Sequence, residues 1–156
     1  MFGGLLLVDR SRKILLIDND THSEHFLYRV VKGEAFVIDR TADGEEGFKR
    51  LLAKPKEYSS IVLGRNIKHV DSITLLHRIN ACSLTKSLPI IMEAEVGTPE
   101  EMEACIRAGA RYYFSKPINN SIALEVIKTA ARDHDRYFSA EESIHGGLKA
   151  APLMVD

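Results

Sequence analysis

Short apolar runs alternate with amphipathic stretches along this chain. Lys13-Ile14-Leu15-Leu16-Ile17 has the continuous apolar character of a strand buried on both faces. Asp18-Asn19-Asp20-Thr21 then offers several N-caps to a helical stretch carrying Phe26, Leu27, Val30 and Val31, which Gly33 stops. Ala35 to Ile38 reads as the second strand, Thr41 to Gly44 as a turn, and Glu45 to Ala53 as a helix ended by Pro55. Ser60 to Leu63 is the third strand, and Val70 to Cys82 a helix striped by Ile73, Leu75, Leu76 and Ile79. Leu88 to Met92 is the fourth strand, with Pro89 near its start, where a missing N–H is tolerated. Thr98-Pro99-Glu100-Glu101 is the clearest helix start: an N-cap threonine, a proline at the first helical position and a glutamate at the third. Gly109 closes that helix, Tyr112-Tyr113-Phe114 forms the fifth strand, and Lys116-Pro117 breaks the chain. Ile122, Ala123, Val126, Ile127 and Ala130 stripe a last helix.

Strands alternating with helices predict an α/β domain: a five-stranded parallel sheet, doubly wound, covered by helices on both faces as a three-layer sandwich. Residues 1–12 read as an N-terminal extension, 13–142 as the domain, and 143–156 as a loose tail containing glycines, a proline and no periodicity. The last helix keeps helix-compatible composition through Glu142, with Tyr137 and Phe138 near its stripe, which reads equally as an association surface or as a frayed surface helix. In an open parallel sheet, chemistry gathers outside the carboxyl ends of the strands. The positions that matter are therefore Asp18, Asn19 and Asp20, then Gly64, Ala94 and Lys116.

Composition narrows the function. The apolar fraction is 45%, the charged fraction 28% and the formal net charge −1, so nothing points to nucleic acid or an anionic membrane. No apolar run approaches the ~20 residues that span a bilayer. Met1 to Val8 is too short, and lacks the basic start, for a secretory signal. Cys82 and Cys105 have no metal-type spacing and read as small core residues of a cytoplasmic protein. No triad, glycine-flanked nucleophile or metal-ligand cluster supports an enzyme. The stretch after Ala131 is too short for a DNA-binding output domain.

From Lys13 to about Ala131 the chain resembles the receiver domain of two-component response regulators, a flavodoxin-like fold. "KILLIDND" resembles the family's first strand and acidic cluster, and "TADGEEGFKRL" the entry to its second helix. "LPIIM" with "GTPEEMEACIRAGARYYFSKP" resembles its fourth strand through its Lys-Pro signature. The resemblance implies an acidic pair holding Mg²⁺, an aspartate after the third strand taking a phosphoryl group from a histidine kinase, and a hydroxyl and a lysine contacting that group. Here Asp18 matches the first acid, and Asn19 stands where the second is usual, with Asp20 adjacent. Gly64 stands at the phospho-acceptor and Ala94 at the hydroxyl, while Lys116-Pro117 is intact. Glycine has no carboxylate nucleophile, and Asn19 offers only a neutral oxygen to a hard cation. The expectation is a non-catalytic receiver without a cofactor, with at most weak Mg²⁺ binding at Asp18 and Asp20. It would act by protein–protein contact independent of aspartyl phosphorylation.

Tyr113 matches the position whose ring often reorients on activation. With Tyr112 and Glu95 it marks a candidate interaction surface. The implied partners are a histidine kinase, another regulator or a second copy as a homodimer, through the face of the fourth helix, fifth strand and last helix. Lys116 reads either as a relic anion ligand or, preferably, as a structural ammonium needing a counter-charge from Asp18 or Glu95. Glu93 continues a buried strand; either the strand ends at Met92, the favoured reading, or Glu93 reaches water. Lys68 and His69 could contact a partner but read rather as solvated loop residues, His22 and His25 read as surface positions, and Arg65 offers only a weak signal for an anion contact. The alternative function is a flavodoxin-like module binding a small ligand or anion in the same crevice, which the carboxylates after the first strand disfavour.

Overall fold

The computed structural model describes residues 12–95, 98–116 and 118–150, apart from the side chains at 94, 95, 116 and 139–150. Strand β1 (Arg12–Ile17) lies near the centre of the sheet, flanked by β2 (Phe36–Thr41) and β3 (Tyr58–Gly64). Beyond β3 come β4 (Ile90–Glu95) and β5 (Tyr112–Lys116), giving the order β2-β1-β3-β4-β5 with every pair parallel. The helices are α1 (Thr21–Val31), α2 (Gly44–Ala53), α3 (Ser72–Ala81), α4 (Pro99–Ala108) and α5 (Asn120–Ala150). The five-stranded, doubly wound parallel sheet expected from the alternation is present.

Strand alternation divides the core in two. Ile14, Leu16, Val62, Ile91 and Phe114 face α1 and α5, against Leu27, Val30, Ala123 and Ile127. Leu15, Ile17, Ile61, Leu63 and Met92 face α2, α3 and α4, against Leu51, Leu75, Leu76, Ile79 and Cys105. A period of two with both sets apolar is what makes the central strands read as continuous runs. Between Lys13 and Ile14 the β1–β3 register slips, leaving Ser59 unmatched. Its hydroxyl donates to the Lys13 carbonyl at 3.0 Å.

The helix ends follow the sequence signals. Thr98 Oγ1 accepts from the Glu101 N–H at 3.2 Å, with Pro99 at the first helical position. Gly109 ends α4 with φ 115°, a left-handed conformation that glycine adopts without penalty. Asp43 caps α2 by accepting from the Glu45 N–H at 2.8 Å.

Several expectations differ from the structure; strand β2, expected to end at Ile38, runs on to Thr41. Strand β4 does not end at Met92; it continues through Glu93 to Glu95. The last helix does not stop at Glu142 before a loose tail but runs on to Ala150. Cys105 is buried as expected, whereas Cys82 is only half-buried at the C-cap of α3. There the Leu84 N–H holds its thiol below the ordinary range. The extension at 1–11 and the residues 151–156 lie outside the described residues.

Candidate functional site

The carboxyl ends of β1, β3, β4 and β5 lie side by side, and the segments leaving them form the cleft. Asp18 follows β1 directly. Its N–H donates to the Thr41 carbonyl at 3.0 Å, which carries the sheet pairing one residue beyond Ile17. The Asn19 N–H donates to Asn66 at 2.7 Å, tying the β1 loop to the β3 loop while its side chain stays exposed. Asp20 serves as the N-cap of α1, accepting from the His22 N–H at 2.8 Å. Its own N–H donates to Asp18 Oδ1 at 3.0 Å.

Asp18 is 4% exposed. Burial holds its carboxyl above the ordinary carboxylate range. The negative charges of Glu93 and Asp20 add to that rise, while hydrogen bonds from the Ser23 hydroxyl and the Asp20 N–H oppose it.

The place of Gly64 is explained by Asp18. A Cβ built on Gly64 would lie 2.1 Å from Asp18 Oδ2 and 2.3 Å from its Cγ. The Asp18 carboxyl group therefore lies beside Gly64 and fills the space that a Cβ there would enter. Across the sheet, Gly64 pairs with Glu93 of β4, so carboxyl groups flank it on both sides.

Glu93 corrects the sequence reading on both of its alternatives. The strand does not end before it, and it does not reach water, being 3% exposed. It accepts a hydrogen bond from the hydroxyl of Ser23 on α1. Ser23, 2% exposed, thus touches both Asp18 and Glu93 and joins β1, β4 and α1 behind Gly64. Sequence reasoning missed this contact, although a signal existed. Ser23 occupies the buried stripe of α1 four residues before Leu27, and Glu93 falls on the apolar face of β4 two residues after Ile91. Polar residues at two apolar-pattern positions are the mark of a buried polar pair.

Around the cleft, Arg65 is not a free anion contact but pairs with Glu101 of α4 at 3.1 Å. The loop after β3 is pinned rather than loose. The Lys68 N–H donates to Ala42 at 2.9 Å, and the Lys68 carbonyl accepts from Gly44 at 3.0 Å. His69, at φ 72°, sets Nδ1 2.8 Å from Asp43. Arg40 reaches the Asp18 carbonyl at 3.1 Å. His22 and His25 are exposed as expected.

Tyr113 turns inward against the cluster of Leu63, Met92 and Cys105. Its hydroxyl is buried without a hydrogen-bond partner among the described residues, and burial raises its pKa. Tyr112 faces the opposite layer and donates to Asp133 of α5; burial, helped by that carboxylate, pushes its hydroxyl up to about 12. Ala94 pairs with Ser115 and Glu95 with Lys116 across β4 and β5, which brings these backbones to the same edge as Asp18 and Gly64. The expected pairing of Lys116 with Asp18 or Glu95 lies outside the described residues.

A magnesium site of the kind the resemblance implies needs several oxygen donors turned toward one point. Asp18 is packed on Gly64 and bound to Ser23, Asp20 caps a helix, Asn19 is neutral and Gly64 contributes no side chain. Among the described residues, no group of three or more His, Cys, Asp or Glu side chains could hold a metal ion. These residues do not fit the cation.

A family model for the response regulator receiver domain matches residues 14–128. A probable transcriptional regulatory protein, SilR of Salmonella typhimurium, is 24% identical over 92% of this chain and 59% of its own length. The chain thus spans about three-fifths of that relative. A putative response regulator from Chloroflexus aurantiacus superimposes with a TM-score of 0.72 at 25% identity, covering 79% of this chain and 99% of that one. The receiver domain of the sensor histidine kinase PA1611 from Pseudomonas aeruginosa, solved with magnesium in its active-site cleft, gives a TM-score of 0.68 at 17% identity. It covers 78% of this chain and 98% of that one, a likeness of fold.

Proposed function

The chain belongs to the response regulator receiver domain family, and from that premise we propose that it is a receiver whose cleft no longer takes a phosphoryl group. It works in two-component signalling through protein–protein contact, in a conformation set by its own packing. One observation carries this reading: the carboxyl group of Asp18 occupies the space in front of Gly64 where an acceptor side chain would stand. An acyl phosphate needs a carboxylate nucleophile at that point, and a glycine covered by a buried carboxyl group supplies none.

The partner is a histidine kinase, another regulator or a second copy. Recognition runs through α4, β5 and α5. Supporting this face, α4 exposes Met102 and Ile106, and α5 exposes Ile122 and Tyr137. Among the described residues no helix is long and apolar enough to cross a membrane.

The test is incubation of the purified chain with Mg²⁺ and radiolabelled acetyl phosphate. The expected result is no base-labile label on the wild type and, at most, weak label on Gly64→Asp, because Asn19 and Ala94 still lack the needed groups. Stable acid-resistant, base-labile label on the wild type overturns the reading. Robust label on the single variant shows that the cleft is far less altered than proposed.

A further inference from the structure

At the opposite end of the sheet from the cleft, α5 carries a buried imidazole. His134 is 8% exposed, and neither of its ring nitrogens has a hydrogen-bond partner among the described residues. Its nearest carboxylate, Asp135, lies 3.9 Å from Nδ1, beyond hydrogen-bond reach. That carboxylate is already taken by Arg12 at the start of β1, which donates to it from both terminal nitrogens at 2.8 and 2.7 Å. The His134 ring packs on Phe138 with centroids 4.5 Å apart, and Phe138 in turn lies under the ammonium of Lys56, 5.3 Å from its centroid. The charged groups around the ring are therefore Arg12 on β1, Asp135 on its own helix and, one ring further out, Lys56 before β3.

Neutral imidazole suits this position, because its apolar faces are packed. An imidazolium does not. It would bring a third cation beside Arg12 and Lys56, and two N–H donors with no acceptor within hydrogen-bond reach among the described residues, Asp135 at 3.9 Å offering charge attraction alone. His134 also sits where α5 changes neighbours. Ala123, Ile127 and Ala130 pack in the layer shared with α1, whereas Phe138 packs with the cluster on the other side of the sheet. The seat formed by His134, Phe138 and the Arg12–Asp135 pair thus holds α5 at the point where it leaves the layer shared with α1.

We propose that His134 is a pH-sensitive latch: neutral, it seats the Arg132–Phe138 stretch of α5 under the amino end of the sheet, and protonated, it releases that stretch. The inference stands apart from the cleft and holds whatever the cleft does. Burial, and after it the nearby guanidinium of Arg12, holds the imidazole below its ordinary value of 6.5, with the Asp135 carboxylate opposing the shift. The folded state therefore resists the proton that the released segment accepts. The hold is complete above that ordinary value and weakens as pH falls below it, levelling off once pH passes the lower value of the seated ring.

The experiment is amide hydrogen exchange on the full chain from pH 7.5 to 5.0, corrected for intrinsic exchange, beside an NMR titration of the His134 ring. Exchange at Arg132 to Phe138 should accelerate as pH falls, by about tenfold for each unit by which the seated ring lies below an ordinary histidine. Amides from Ala123 to Ala130 should not respond. His134→Phe, which keeps a packed ring without a proton site, should abolish the response, and His134→Gln covers the case in which the phenylalanine variant fails to fold. A ring titrating at or above the ordinary value overturns the latch. So does a response uniform along α5, or one that persists in either variant.

Discussion

A single carboxyl group accounts for most of what is unusual in the cleft. Asp18 is buried against Gly64, and its carboxyl is harder to ionise than that of an ordinary aspartate. Because its folded pKa is raised, the stability it contributes is present at low pH, below its unfolded value, and is lost as pH rises through the folded value. The Asp18→Asn substitution removes that dependence. Measured by urea denaturation, the variant should gain on the wild type progressively from pH 4 upward; a constant difference across the range would contradict the assignment. The positions of Asp18, Gly64 and Lys116 at strand ends were legible from the sequence by counting along apolar runs, whereas Ala94 was placed after β4 and lies within it. The packing was not legible. That Asp18 would fill the space at Gly64 depends on Ser23 and Glu93, brought together across seventy positions of chain, and no local pattern encodes a contact of that range.

At the level of elements, legibility followed the strength of local signals. The start of α4 combined a cap, a proline and a glutamate, and it was placed correctly. Thr98→Ala removes the side-chain acceptor for the Glu101 N–H and should cost about 1 kcal/mol, seen as a lower denaturation midpoint with an unchanged slope. Glu101 itself reaches outward to Arg65, so this helix start is also tied to the loop after β3. The end of β4 was misplaced because a glutamate is a poor strand residue taken alone. Its partner hydroxyl on α1 makes it acceptable, and that is tertiary information overriding propensity. The end of α5 was misplaced for a related reason. Glycines at 146 and 147 lower helix propensity without forbidding a helix.

For the whole molecule, the two layers are built on opposite faces of one sheet, and both depend on the same strands. A cleft set by packing should not transmit a phosphodonor signal to the outer surfaces. Light scattering with and without acetyl phosphate and Mg²⁺ should give the same mass, whatever that mass is; a phosphodonor-dependent change would mean that the cleft still communicates with an association surface. The order of elements and the parallel, doubly wound sheet were recoverable from alternation, since a βαβ unit has few topological choices, whereas the strand order came from the structure. The His134 seat was not recoverable, because a histidine in a charged stretch gives no sign that Arg12 and Phe138 will enclose it.

The contact between Asp18 and Gly64 also bears on how such a cleft could regain its chemistry. Any single replacement of Gly64 by a larger residue meets the Asp18 oxygens before it meets a substrate. An aspartate introduced there begins life colliding with another acid, held in place by a serine and crowded by a glutamate. The productive order runs the other way, with Glu93 or Ser23 altered first so that Asp18 can turn aside. On the proposed reading, a carboxylate at Gly64 therefore takes more than one change, because the Asp18 carboxyl group has to be displaced as well.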